Sequence, residues 1–188
     1  MDVKELFARL SKHSSEGILF HSCLADYFDF LGYNGFKCIQ EYRFICESLE
    51  LRKLHRYFIE DYNMLIPTDD IAHTSPIPEA WQDFTRQEVG TEARRNAVIE
   101  CFDKWVKWEQ ETQMLLEDTY KELTDQDAIA AAEWMAERIK EQGKELKVAE
   151  KMQLKLQTVD YDPECVFSIQ DELHEKFKEK LHELGEEL

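Results

Sequence analysis

Five stretches of this chain place apolar residues at alternating steps of three and four, the spacing that gathers side chains on one face of a helix. The first, Val3 to Leu31, has the seam Leu6, Leu10, His13, Gly17, Phe20 or His21, Leu24, Phe28 and Leu31, with a loosening expected at Ser14-Ser15-Glu16-Gly17. Gly32-Tyr33-Asn34-Gly35 stops it, because Gly and Asn accept the left-handed conformation of a helix end. The second stretch runs from Phe36 to Met64, the third from about Glu92 to Leu123 with Thr91 as a candidate N-cap, and the fourth from Asp127 to about Thr158. Asp160-Tyr161-Asp162-Pro163 then breaks the chain before a final amphipathic pattern, Val166, Ile169, Leu173, Phe177, Leu181 and Leu184.

The connections set the topology. Short turns at Gly32 to Gly35 and at Thr124-Asp125-Gln126-Asp127 imply two antiparallel helix pairs. Between the pairs, Thr68 to Glu79 carries Pro67, Pro76 and Pro78 at and within its bounds, followed by a short helical pattern at Trp81 to Glu88, which reads as a crossover spanning about 66–91. The expected architecture is therefore all-α: an up-down four-helix bundle over 1–160 with a long crossover between helices two and three, then a fifth, C-terminal amphipathic helix over 161–188.

Polar residues interrupt the apolar seams near mid-helix. On the second helix the seam Phe36, Gln40, Arg43, Glu47, Glu50, Leu54, Tyr57 carries two acids, on the third Glu109 follows Val98, Phe102 and Trp105, and on the fourth Gln142 follows Met135 and Ile139. Antiparallel helices bring level those residues that lie equally far from their turn. Glu109 and Gln142 are equidistant from the turn between Asp125 and Gln126, while Glu47 and Glu50 face the region Glu16 to Leu19, with His21 one turn away. Three carboxylates with a Gln and a His near mid-bundle must protonate or find positive charge. A bound cation is one solution, and carboxylate-rich bundle cores are the arrangement of di-iron and di-manganese centres. The other solution is pairing of Glu47 and Glu50 with Arg43, Arg52 or Lys53.

These patterns resemble the ferritin-like superfamily, and bacterial non-haem ferritins in particular. Tyr27-Phe28-Asp29 through Asn34-Gly35-Phe36 looks like the family's first connection, Ile77-Pro78 with Trp81 like its crossover, and Glu141-Gln142 with Glu145 like its fourth helix. The resemblance implies a carboxylate-bound iron site, as a di-iron centre with manganese or no metal as alternatives. Its metal residues would be Glu47, Glu50, Glu109, His21, Gln142 and Glu141, and its activity ferroxidase-like oxidation or iron storage. Glu50 stands where the family's ExxH motif has His, and Ser14 where its first helix has Glu, so the implied centre is degenerate. His21 matches a Tyr beside that centre.

Composition adds a second reading of a different class. In 188 residues, 40 acids against 23 bases give a net charge of −17, which argues against direct nucleic-acid binding through phosphates. It suits a metal-free acidic bundle that binds a basic protein partner or mimics nucleic acid. A ferritin-like oxidase of a small organic molecule is a third reading, with no residue that identifies a substrate. No apolar run is long enough for a membrane span and no signal sequence is apparent at Met1 to Lys12, so a cytoplasmic homo-oligomer is expected. Cys23, Cys38, Cys46, Cys101 and Cys165 form no CxxC pair and read as small hydrophobes in a reducing compartment. Trp105, Trp108 and Trp134 read as core or interface, His55 as solvated, His13 as partly exposed near the bundle end. His73, His174 and His182 belong to no metal-spacing pair, and no phosphate loop or nucleophile motif is present.

Overall fold

In a computed structural model, which describes residues 2–66 and 89–187, the described residues form five helices: α1 (Val3–Leu31), α2 (Asn34–Tyr62), α3 (Thr91–Asp125), α4 (Ile129–Thr158) and α5 (Pro163–Glu187). Helices α1 and α2 pack as one pair and α3 and α4 as the other, and α5 lies on α2. The crossover expected at about 66–91, with its Trp81 to Glu88 pattern, falls almost wholly outside the described residues.

The helix ends follow local chemistry. Asp2 caps α1 by accepting from the Glu5 amide at 2.8 Å while Glu5 returns a bond to the Asp2 amide, a capping box. Gly32, at φ 84°, closes the same helix in the left-handed region. Pro163 opens α5 where a missing amide hydrogen costs nothing, and the Asp162 carboxylate accepts from the amides of Glu164 and Cys165. Elsewhere the boundaries differ from those the periodicity suggests. The α1 helix is continuous through Ser14 to Gly17, α2 begins at Asn34, and Thr91 is the first residue of α3 after an extended Gly90, without a side-chain cap.

The buried apolar residues form two clusters. One holds Phe28, Phe36, Phe102 and Trp105 with Val166, Ile169 and Phe177 of α5. The other, toward the opposite end of the bundle, holds Leu6, Phe7, Phe58, Leu123 and Met135. On every helix of the bundle the segment between the two clusters contains the polar seam residues, so the core is split by a polar layer: His21, Gln40, Arg43, Glu109 and Gln142 are all buried.

The α5 helix runs parallel to α2. Gly35 abuts Gln170 and Tyr42 packs on Phe177, seven residues further along both helices. Gly35 is required for this approach, because an added Cβ would fall onto the Gln170 carbonyl. The Gly35 amide also donates to Gln170 Oε1 at 2.8 Å.

Candidate functional site

The polar layer is organised by Arg43. One turn before Glu47 on α2, its side chain is 95% buried and reaches acids on three helices. Nη2 donates to Glu47 Oε1 at 3.0 Å and to Glu109 at 3.2 to 3.3 Å, and Nη1 lies 3.1 Å from Glu145 Oε2. Opposite charges at these distances in a largely buried layer attract one another and so counter the cost of desolvating them. Burial by itself disfavours the guanidinium charge, but Glu109, Glu47 and Glu145 outweigh it and hold Arg43 protonated.

Glu109 is fully enclosed. The indole of Trp105 donates to its Oε1 at 2.8 Å and Gln142 Nε2 to its Oε2 at 2.7 Å. Burial raises its pKa, yet Arg43 and these two hydrogen bonds together hold the carboxyl below its usual range. Glu47 lacks such donors: burial outweighs the attraction of Arg43 and pushes it up to about 7. The Glu109 to Gln142 contact is the pairing that equal distance from the α3–α4 turn predicts.

His21 is fully buried, with Nδ1 2.7 Å from Gln40 Oε1. With that carbonyl oxygen as acceptor, Nδ1 carries the proton and Nε2 keeps a lone pair. Nε2 lies 3.9 Å from Glu109 Oε1, beyond hydrogen-bond range, and has no partner. Burial, reinforced by Arg43, lowers the imidazole pKa to about 4, so His21 is neutral and its separation from Glu109 is not an ion pair.

The remaining expected residues lie to one side. Glu50 takes Lys53 Nζ at 2.8 Å and pairs with Arg138, which also donates to Glu141 Oε2 at 2.7 Å. A cavity of about 260 Å³ separates this second cluster from Arg43, with Leu10, Leu54, Leu116 and Trp134 among its lining residues and Glu47, Glu50, Glu141 and Glu145 as its acids. Ser14 lines the same cavity, whereas the α1 residue that faces Glu47 is Gly17. A Cβ there would stand 3.6 Å from Glu47 Oε2 and 3.1 Å from Cζ2 of Trp108. Trp108, stacked between His13 and Phe20, thus fills the space that a longer side chain on α1 would need.

A metal pair does not fit this arrangement as it stands. The three carboxylates that converge are engaged by a guanidinium, Glu50 and Glu141 are engaged by Arg138, and α1 places Gly17 rather than a carboxylate opposite Glu47. Among the described residues no group of three or more His, Cys, Asp or Glu is set to hold a metal ion.

Sequence patterning placed Glu47, Glu109, Gln142 and His21 together, and the structure brings these four to one layer. It did not single out Arg43 as the centre, although Arg43 stands on the same seam between Gln40 and Glu47. Trp105 and Glu145 share the cluster, and their signal is helical spacing: Trp105 lies one turn from Glu109, and Glu145 three residues from Gln142. His13, expected to be partly exposed, is half-buried and lies 2.7 Å from Thr112 Oγ1, whereas His55, expected to be solvated, is half-buried and lies 2.7 Å from Ser11 Oγ.

No protein-family model and no curated protein matches the chain. Solved structures do. An engineered closed form of the Archaeoglobus fulgidus ferritin superposes with a TM-score of 0.74 over 93% of this chain and 96% of that one, at 15% identity. The open-pore ferritin of the same archaeon gives 0.75 at 14% identity over 91% and 94%. A PmFTN variant soaked in iron gives 0.73 at 11% identity over 90% and 98%. Among the described residues no helix is long and apolar enough to cross a membrane. Helix order, packing and these superpositions agree that the chain has the ferritin-like fold.

Proposed function

We propose that this protein serves an iron-related, ferritin-like role as a non-catalytic subunit: an acidic helical bundle that assembles with copies of itself and carries its own counter-ion at mid-bundle. The observation that carries this reading is Arg43, bonded to Glu47 and Glu109 and paired with Glu145 in the middle of the bundle. A redox site needs a metal with open positions for oxygen, and a guanidinium offers neither electrons nor coordination sites. The net charge of −17 supports contacts with cations or a basic protein surface, on the outside of the bundle. Iron enters through likeness to ferritin structures, one of them soaked in iron.

Anaerobic Fe²⁺ titration with metal analysis and oxygen uptake tests it. The expected result is no mid-bundle iron and no change on Glu47→Ala or Glu109→Ala. Stoichiometric Fe²⁺ binding that both substitutions abolish would refute it.

A second reading has its own support. Glu109 and Gln142 do meet beside Glu47 and His21, and a cavity bordered by Glu50 and Glu141 reaches Glu47 and Gln142. If Arg43 swings aside, these six residues bind iron or manganese, and the titration above then gives the refuting result.

A further inference from the structure

We propose that the cavity beside Arg43 is a binding site for a small aliphatic α-amino acid, with Glu47 receiving its ammonium, Arg43 its carboxylate, and Leu10, Leu54, Leu116 and Trp134 its side chain. The inference rests on the reading of Arg43 as a fixed part of the polar layer. Three observations carry it.

The first is a pair of unmet hydrogen-bonding groups of opposite kind, one turn apart on α2. Arg43 is 95% buried, and its Nε donor has no partner. Glu47 accepts from Arg43 through Oε1, whereas Oε2 receives no donor among the described residues. Both side chains line the cavity. A donor and an acceptor stripped of water and left open cost free energy, which a ligand recovers by supplying the reverse pair. The carboxylate and the ammonium of an α-amino acid are such a pair, carried on one carbon.

The second observation is the charge of the lining. Glu47, Glu50, Glu141 and Glu145 stand against Arg43, Arg138 and Lys144, a small excess of acid. A zwitterion adds no net charge to such a lining, whereas a simple carboxylic acid adds a further negative charge. Burial pushes Glu47 up to about 7 against the pull of Arg43, and an ammonium at Oε2 favours its charged form.

The third is size and polarity. The cavity of about 260 Å³ has an apolar side made by Leu10, Leu54, Leu116 and Trp134, whose ring is fixed by stacking on Tyr57 at 4.7 Å. At about 30 Å³ for each water-sized group, that volume takes a molecule of roughly eight or nine non-hydrogen atoms, the size of leucine. It is smaller than the roughly 300–1,000 Å³ of pockets for drug-sized ligands.

The test is calorimetric titration of L-leucine into the protein with EDTA present, beside three comparators. Isoamylamine lacks the carboxylate, 4-methylpentanoate lacks the ammonium, and glycine lacks the side chain. The expected result is about one leucine per chain, with each comparator weaker by at least about tenfold. Glu47→Gln should weaken leucine by a similar factor, and Ser14→Leu, which places bulk in the cavity from α1, should abolish binding. No leucine binding at millimolar concentration, a comparator that binds as well as leucine, or unchanged binding in Ser14→Leu would overturn the proposal. Should Glu47→Gln fail to fold by circular dichroism, the comparators and Ser14→Leu decide it. None of these outcomes touches the non-catalytic reading, which stoichiometric Fe²⁺ binding by the parent overturns, so the two failures are distinct.

Discussion

Replacing Arg43 by Met keeps an unbranched apolar stem and removes the guanidinium with its charge. The guanidinium is bonded to Glu47 at 3.0 Å and to Glu109 at 3.3 Å and lies 3.1 Å from Glu145, and Glu109 is wholly enclosed. Breaking a buried ion pair from one side costs about 3–5 kcal/mol, because the remaining charge stays desolvated. Part of this is recovered by protonation: Glu47, already raised to about 7 against the pull of Arg43, takes up a proton at neutral pH once that pull is gone. The net loss is therefore expected at the lower end, about 3 kcal/mol, and should lower the melting temperature by roughly 6–12 °C for a chain of this size. The sign with pH follows. In the variant, carboxyls whose folded pKa exceeds the unfolded value lose stability as pH rises from that value through the folded one. The gap between parent and variant should accordingly be small near about pH 5 and widen toward about pH 8. Urea denaturation followed by circular dichroism at both pH values measures it. A gap below about 1 kcal/mol at neutral pH, or one independent of pH, would show that Arg43 is not the counter-ion of this layer.

His21, with its pKa lowered to about 4 by burial and by Arg43, takes up a proton in the unfolded chain near 6.5 but not in the folded one. Its contribution is complete above that unfolded value and is lost as pH falls toward 4, by at most about 3 kcal/mol, so His21→Leu should flatten the acid limb of a stability profile. Gly35→Ala should force α5 away from α2, because the new methyl falls onto the Gln170 carbonyl. A loss of about 2–3 kcal/mol, seen as a melting temperature lower by roughly 4–12 °C and early proteolysis of α5, is expected; an unchanged melting curve would contradict the close approach. Asp2→Ala removes the α1 capping box and should cost about 1 kcal/mol in urea denaturation, with faster amide exchange confined to the first turn.

Much of the fold was legible because helix periodicity and turn chemistry are local properties. The seams predicted all five helices, Gly32 and the Thr124 to Asp127 turn set the two antiparallel pairs, and equal distance from a turn brought Glu109 to Gln142. The helix boundaries shifted by a few residues, as at Thr91 and Asn34, because packing at helix ends outweighs a weak cap.

What each polar residue does was not local. The sequence by itself determined that a helical bundle has polar residues at the level of Glu47, Glu109 and Gln142. It left open whether positive charge there comes from a cation or from a side chain, since Arg43, Arg52 and Lys53 were all within reach along the helix. Only the tertiary structure decided for Arg43, because its long side chain points inward and meets acids from three helices. It also decided against a longer α1 side chain opposite Glu47, where Gly17 faces Glu47 and Trp108 takes the space. Helical spacing states which face a residue occupies, whereas three-helix convergence and the volume of an indole become defined only when the helices pack together.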